Sequence, residues 1–526
     1  MAKPELTEWD EDLTASANEE YDALVRAIRW ARGFGLLFVQ CTPAEGERLM
    51  ARVQADITDK TVDVLRLEGE VDDLYATVAD LPNISKTNVL FVTGLEKSLV
   101  PYIKLGYGSE GDYYAKDTVP KLLGKLNLQR EKFRETFGLC FVFLVPPYAM
   151  KYLIRRAADF FDWRSGVWEF VGSAELVRQE SLKFLQDNDF EQYRNLTLLQ
   201  CRERFLAIED FLEQGSCPAG SASELRREQG RLLIAEKNYE SALSYFEKAL
   251  KIQADYSNAL KSKGDALSYL SRYEEAIVNY DAALTIDPDF YEALSNKGFS
   301  LSQLKCYEEA IVNYNAALAI NSDYYYALNN KGNALGNLGR YEQAIACYDA
   351  ALAIKPNYYY ALNNKGNALG NLGRYEQAIA SYDAALAIKP NYHETLNNKG
   401  NALSDLGRYE DAIASYDAAL TIKPDYHEAL NNKGIVLRKL GRYEEAITSY
   451  EAALAIKPDK HEALNNKGIV LRKLGRYEEA ITSYDAALAI KPRSHEVLYN
   501  KGYVLDELVL DGINKASIYE VRGLPV

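Results

Sequence analysis

The chain has 526 residues, 48% hydrophobic and 26% charged, the proportions of a folded globular protein with room for more than one core. A formal net charge of −15 excludes a general nucleic-acid binder, whose footprint is basic. Six cysteines with no C-x-x-C pair and only four histidines exclude a zinc framework and a disulfide scaffold, while 39 tyrosines against 17 phenylalanines point to copying of a short unit.

The opening MAKPELTEWDEDL is acidic and lacks the apolar stretch of a signal peptide. The longest apolar run, residues 137–150, is broken by Pro146-Pro147 and is too short to span a bilayer. A soluble protein of the reducing cytoplasm is therefore expected, with neither membrane nor nucleic acid as partner. A helix is predicted over residues 18–32 and a strand over 36–41. Further strands are predicted at 62–67, 88–93 and 139–145, with helices near 44–57, 71–80 and 119–137. Such alternation implies a parallel sheet covered by helices, a three-layer α/β domain over residues 1–172.

The stretches GFGLLFVQC, VLFVTGLE, LNLQREKFRETFGLCFVFLVPPYAMKYL and DFFDWRSGVWEF together resemble a P-loop NTPase core of the AAA or STAND type, of the kind found ahead of repeat arrays in bacterial proteins. The resemblance places a Walker A motif after the first strand, where glycines admit the phosphates, a lysine contacts the β- and γ-phosphates and a hydroxyl holds Mg²⁺. Aligned on Gly46, Cys41 stands for the first glycine, Glu47 for the lysine and Arg48 for the hydroxyl residue. Thr93 occupies the Walker B aspartate position, with Glu96 nearby. Three roles follow for this vestigial nucleotide site. The domain is a non-hydrolysing interaction or assembly module, self-association included; or it binds a nucleotide weakly through backbone N–H groups and Arg48; or it is a nucleotide-regulated STAND-type signalling ATPase with the repeats as sensor. The first is the leading expectation. Arg155, Arg156 and Arg164 are candidates for contacts with a subunit or ligand, and Trp163, Trp168 and Phe170 for packing against the sheet. No Ser-His-Asp, Cys-His or metal-ligand constellation occurs, so no catalytic residue, cofactor or metal is assigned.

Residues 173–222 are expected to be a helical connector, with linker composition in GSCPAGSAS at 215–223. Beyond it Gly230, Gly264, Gly298, Gly332, Gly366, Gly400, Gly434, Gly468 and Gly502 recur every 34 residues. With glycine as position 8, residues 223–526 hold eight complete repeats and a truncated ninth. Each reads as two helices: in the repeat from Tyr359, the first closes at Gly373 and the second stops before Lys389-Pro390. Beyond residue 508 the pattern is lost, and the last helix with its tail is expected to cap the array. Glycine at 8, alanine at 20 and 27, an aromatic at 24 and proline at 32 resemble the tetratricopeptide repeat (TPR). Leucine at position 4 and lysine at 7 depart from the usual pattern, and the lysines are read as apolar stems with solvated heads.

The TPR resemblance implies an all-α right-handed solenoid whose first helices line a groove for a segment of another protein. Helical spacing puts positions 2, 6, 9 and 13 in one stripe, with 5 and 12 at its edge. Position 6 is asparagine in seven consecutive repeats: Asn296, Asn330, Asn364, Asn398, Asn432, Asn466 and Asn500. Position 9 adds Asn333, Asn367 and Asn401. The ladder resembles that of the TPR superhelix in O-linked N-acetylglucosamine transferases. Either these amides bond a peptide backbone, or near-identical repeats share them as recent copies. Towards the C-terminus the stripe turns basic with Arg438 and Arg472, which are assigned to an acidic, apolar part of the ligand. A carboxylate clamp is not expected: position 5 is lysine only at Lys261, beside Asp265, position 2 is Tyr or Glu in most repeats, and no repeat has arginine at position 6. The histidines, His393, His427, His461 and His495, all stand at position 1, too far apart for shared ligation.

Overall fold

A computed structural model describes residues 17–103, 120–170, 196–213 and 217–522. The chain divides into two compact units, Met1–Pro288 and Asp289–Val526.

In the first unit, helix α1 (Ala17–Trp30) leads into β1 (Gly35–Gln40), α2 (Pro43–Asp56), β2 (Val62–Arg66), α3 (Leu74–Ala79), β3 (Val89–Thr93), α4 (Lys121–Thr136) and β4 (Cys140–Val145). Helices α5 (Pro147–Arg156) and α6 (Ala158–Phe161) then precede β5 (Gly166–Glu169). The five strands are parallel in the order β2-β3-β4-β1-β5. Continuous apolar runs such as CFVFLV form the central strands because both faces are covered. One face packs Leu37, Val39, Phe91, Val142 and Leu144 under Leu24 and Ile28 of α1 and Leu49 and Val53 of α2. The other is aromatic: Phe38 stacks on Phe143 at 5.0 Å, and Phe133 of α4 meets Phe141 at 5.6 Å.

Strand β5 was not expected. Its four residues lie in DFFDWRSGVWEF, where two adjacent apolar side chains, Val167 and Trp168, are too few to signal a strand. The tryptophans of that segment pack: Trp168 lies against the core below α1 and α2, and Arg134 stands over the Trp163 ring at 4.9 Å.

Helix α7 (Leu198–Glu213) and the first repeat helix α8 (Ala219–Ala235) complete the connection to the repeats. Of the connector expected at 173–222, residues 173–195 lie outside the described residues. The linker expected at 215–223 is helical from Ala219, and Ser223 Oγ donates to Ala249 O at 3.1 Å. Proline at 218 occupies the cap position and leaves its successors free to wind, so small residues read as a linker form the first helical turns. The first two repeats belong to this unit and the others to the second.

In the second unit, helix pairs recur with fixed bounds, such as Tyr325–Asn337 with Tyr341–Ile354 and Tyr359–Asn371 with Tyr375–Ile388. Turns between paired helices pass through glycines of positive φ in repeats 4–8, for example Gly373 at +72°. Position 8 must be glycine because a Cβ at Gly366 would stand 2.4 Å from the Tyr382 ring. Alanines 378 and 385 are wholly buried beside that ring.

The position-7 lysines are not merely solvated stems. Each of Lys365, Lys399 and Lys433 reaches back 2.6 Å to an acid at position 25 of the preceding repeat: Asp349, Asp383 and Asp417. Among the described residues no helix is long and apolar enough to cross a membrane, and all six cysteines are free thiols.

Candidate functional site

Two regions present concave surfaces, one in each unit. In the second unit, the first helices of repeats 3–6 line two adjoining hollows of about 550 and 410 Å³. The first is walled by Asn330, Asn333, Asn337, Asn364, Asn367 and Asn371, with Phe299, Gln303 and Tyr341 at its rim. The second shares Asn367 and Asn371 and adds Asn398, Asn401, Tyr375 and Asp405. The shared residues make one channel of the two. Glycines at position 12, Gly336 and Gly370, keep its floor low; a Cβ on Gly370 would meet nothing within 4 Å.

The position-6 asparagines of the later repeats spend their N–H groups within the protein. Asn364 Nδ2 donates to Asn329 Oδ1 at 3.2 Å and to Asn333 Oδ1 at 2.9 Å. Asn432 does the same to Asn397 and Asn401 at 3.2 and 3.1 Å. Asn398, Asn466 and Asn500 donate to Asn363, Asn431 and Asn465. The position-5 acceptors are buried, with Asn329 and Asn465 only 4% exposed. The ladder therefore ties each of repeats 5–9 to the one before it. At position 9, Asn333, Asn367 and Asn401 each accept from the hydroxyl of a position-24 tyrosine at 2.8 Å. At position 13 the amide N–H groups of Asn337 and Asn371 turn back to the helix carbonyls of Asn333 and Asn367.

Further along, Ile435 and Ile469 replace asparagine at position 9. Arg472 is already engaged, 3.5 Å from Glu507 and 4.6 Å over the Tyr503 ring of the last helix, which a reading of the repeats alone could not foresee. Lys439 donates to Ser404 Oγ at 3.2 Å. Arg438 is not among the residues lining either hollow. The two tyrosine triplets lie outside the hollows and pack edge to face, Tyr325 with Tyr358 at 5.0 Å and Tyr359 with Tyr392 at 5.3 Å. His393, His427 and His461 sit beside acids of their own repeats, and no group of three metal-ligating side chains occurs among the described residues.

This geometry matches what family comparison finds. Tetratricopeptide repeat models match residues 228–256, 329–393, 397–461, 434–495 and 465–508, and a TPR repeat model matches 264–305. The repeat region is a tetratricopeptide repeat array. Among solved structures, YrrB, described as a TPR protein with an unusual peptide-binding site, is 23% identical over 36% of this chain and 97% of its own, with a TM-score of 0.31. A tetratricopeptide repeat protein from Parabacteroides merdae is 17% identical over 47% of this chain and 98% of its own, with a TM-score of 0.40. PilW, a type IV pilus biogenesis factor, is 21% identical over 40% and 97%, with a TM-score of 0.38. A comparison with curated proteins finds no match.

The second concavity lies in the first unit, ahead of most of the TPR array. The chain leaves β1 for the far edge of the sheet and returns beside it at β4, so the crevice at the carboxyl ends of these strands is a topological switch point. There a cavity of about 810 Å³ is roofed by α7. Glu47, Arg66, Glu68, Thr93, Glu96 and Lys97 line it from below, and Glu203, Arg204 and Asp210 from above. Glu47 is clasped by Arg66 at 2.9 and 3.3 Å. Arg48 is exposed and does not line the cavity. Helix α2 starts at Pro43, only two residues after β1 ends, and Gly46 already lies inside it, its Cβ position 3.4 Å from Cys41 Sγ. The connection thus lacks the length of a phosphate-wrapping loop.

Burial pushes the Glu96 and Glu203 carboxyls up, and Asp210 up to about 7. Asp210 Oδ2 accepts the Tyr148 N–H at 2.9 Å, capping α5 from another helix, and Lys151 pairs with Glu213 at 2.6 Å. Sequence reasoning found the floor of this cavity and missed its roof, because nothing in LLQCRERFLAIEDFLE says which surface that helix covers.

Proposed function

We propose that the protein is a non-enzymatic scaffold whose TPR groove binds an extended segment of another protein in repeats 3–6. One observation carries the reading: the larger hollow is lined by amides, hydroxyls and aromatic rings with no charged side chain. Such a surface suits a peptide backbone, which offers alternating donors and acceptors and no net charge. The ligand-facing groups are the position-9 and position-13 amides together with the second carbonyl lone pair at position 6, the first accepting from the adjacent position-5 amide in Asn330 and Asn364. Asp405 closes the neutral stretch, and the basic residues beyond it, Arg438 above all, suit an acidic continuation of the ligand. A peptide selected against the full chain tests this. A photo-reactive label on Asn371→Cys should cross-link to it, and one on the outward-facing Val312→Cys should not. Labelling at both sites alike, or at neither, would refute the groove as the site.

A second reading is favoured by the cavity at the strand ends. A P-loop-like domain, degenerate in its motif residues, would bind a nucleotide there and regulate the repeats. Five carboxylates (Glu47, Glu68, Glu96, Glu203 and Asp210) against three cationic side chains make it a poor host for polyphosphate. ATP or ADP with Mg²⁺ at millimolar concentration should leave the melting temperature of the full chain unchanged; a saturable rise would establish the regulated reading.

A further inference from the structure

The ninth repeat keeps its first helix and has lost the turn that would start a second. Where repeats 4–8 place a glycine of positive φ, it has Val509, a β-branched residue that the left-handed conformation excludes. The helix instead continues unbroken from His495 to Arg522.

The surface left behind is the one that second helices cover elsewhere. In all eight full repeats an aromatic ring at position 24 lies on the position-8 glycine, so a Cβ there would come within 2.4 to 2.8 Å of ring atoms. At Gly502 it would meet nothing within 4 Å. The position-11 leucines tell the same story: Leu403, Leu437 and Leu471 are 2%, 1% and 1% exposed, and Leu505 is 43%. Leu498 and Val509 share its helical stripe as exposed apolar side chains, and Tyr499 stands exposed at the edge of that stripe.

We infer that this stripe is a homodimer contact, occupied by the same helix of a second copy. The repeats themselves show eight times what the open slot accepts, an aromatic ring from a helix lying alongside. The stripe carries both halves of that contact, since Tyr499 projects three residues before the empty Gly502. Two antiparallel copies about a twofold axis put ring into slot twice over. The contact also continues an established interface, because Val497 and Val504 on the same helix are buried against repeat 8. An open head-to-tail polymer is blocked at the first repeat, where α7 covers α8 and the helix that follows it. There Phe205 meets Tyr245 at 5.1 Å, and Glu209 holds both Arg226 and Gln229.

The stripe spans roughly 16 Å of helix at 1.5 Å per residue, short of a standard interface, so association is weak and concentration-dependent. Sedimentation velocity of the full chain from about 1 to 100 µM, a range that brackets micromolar affinity, is the test. The wild type should pass from monomer to dimer across that range, and Leu505→Asp should stay monomeric with unchanged helical circular dichroism. Gly502→Arg, which fills the slot that the ring of the second copy needs, should stay monomeric as well. A wild type that stays monomeric throughout, or a dimer that Leu505→Asp leaves intact, would overturn the inference.

Discussion

The two regions of this molecule solve the same problem, burying apolar surface, in opposite ways. The α/β region brings distant segments together: β1 pairs with a strand more than a hundred positions later, and its aromatic face draws on four elements. The TPR array buries its residues against neighbours about 16 to 35 positions away, using the same glycine, aromatic ring and alanines each time. The first is one cooperative core; the second is a near one-dimensional stack whose stability is a sum of local terms. The difference separates what a substitution does in each. In the core it is felt everywhere, and in the array it is shared with adjacent repeats.

Phe141→Ala should break the α/β region most severely. Its side chain is wholly buried between Phe133, Phe137 and Phe143, and truncation costs about 3–5 kcal/mol. Denaturant unfolding should show an early transition with most of the array's helical signal retained.

Acidity offers a second separation. Asp210 has its folded value raised to about 7 by burial, against roughly 3.9 in an unfolded chain. The folded state therefore holds its proton more tightly, and this contribution is fully present below about pH 4 and lost as pH rises towards 7. Glu96 and Glu203 act in the same direction. Asp210→Asn, which keeps an acceptor for the Tyr148 N–H, should stabilise the α/β region on the order of 2–4 kcal/mol at pH 8. The gain should be smaller at pH 5. Melting curves at the two values decide it.

In the array the expected effects are smaller. Asn432→Ala removes two hydrogen bonds to the preceding repeat and leaves the buried Asn397 acceptor unpaired. A loss of about 1–3 kcal/mol is expected, with hydrogen exchange accelerated in repeats 6 and 7 only. If exchange rises evenly along the array, its stability is not a sum of local terms. Smallest of all, Lys467→Ala breaks a half-exposed pair with Glu451 and should cost about 0.2–1 kcal/mol, less at high salt.

The same contrast explains what the sequence disclosed. The array was legible because periodicity states its contacts directly: helix bounds, turn glycines and the buried ring of Tyr382 on Gly366 all repeat. The asparagines were legible as a ladder, yet their partners were not, since repeat spacing alone does not tell an amide facing a ligand from one facing Asn397. Four strands of the sheet were legible as apolar runs. The short β5 and the roof helix α7 were not, because the contacts that define them, such as Asp210 with the Tyr148 N–H, join segments with no shared pattern. The expected linker failed for a local reason, since Pro218 starts a helix where Gly220 and Ser221 suggested a coil.

The central claim is that the open channel of repeats 3–6 is the binding surface. Gly370→Arg tests it most directly, because Gly370 lies in a helix, faces open space and lines the second hollow. Replacing a helical glycine should leave stability unchanged or raise it by about 0.5–1 kcal/mol, while the guanidinium fills the channel. Peptides selected from a random display library on the full wild-type chain should lose at least about tenfold in affinity for this variant, roughly 1.4 kcal/mol. They should keep full affinity for the outward-facing Val312→Arg. Equal binding to wild type and Gly370→Arg would contradict the account.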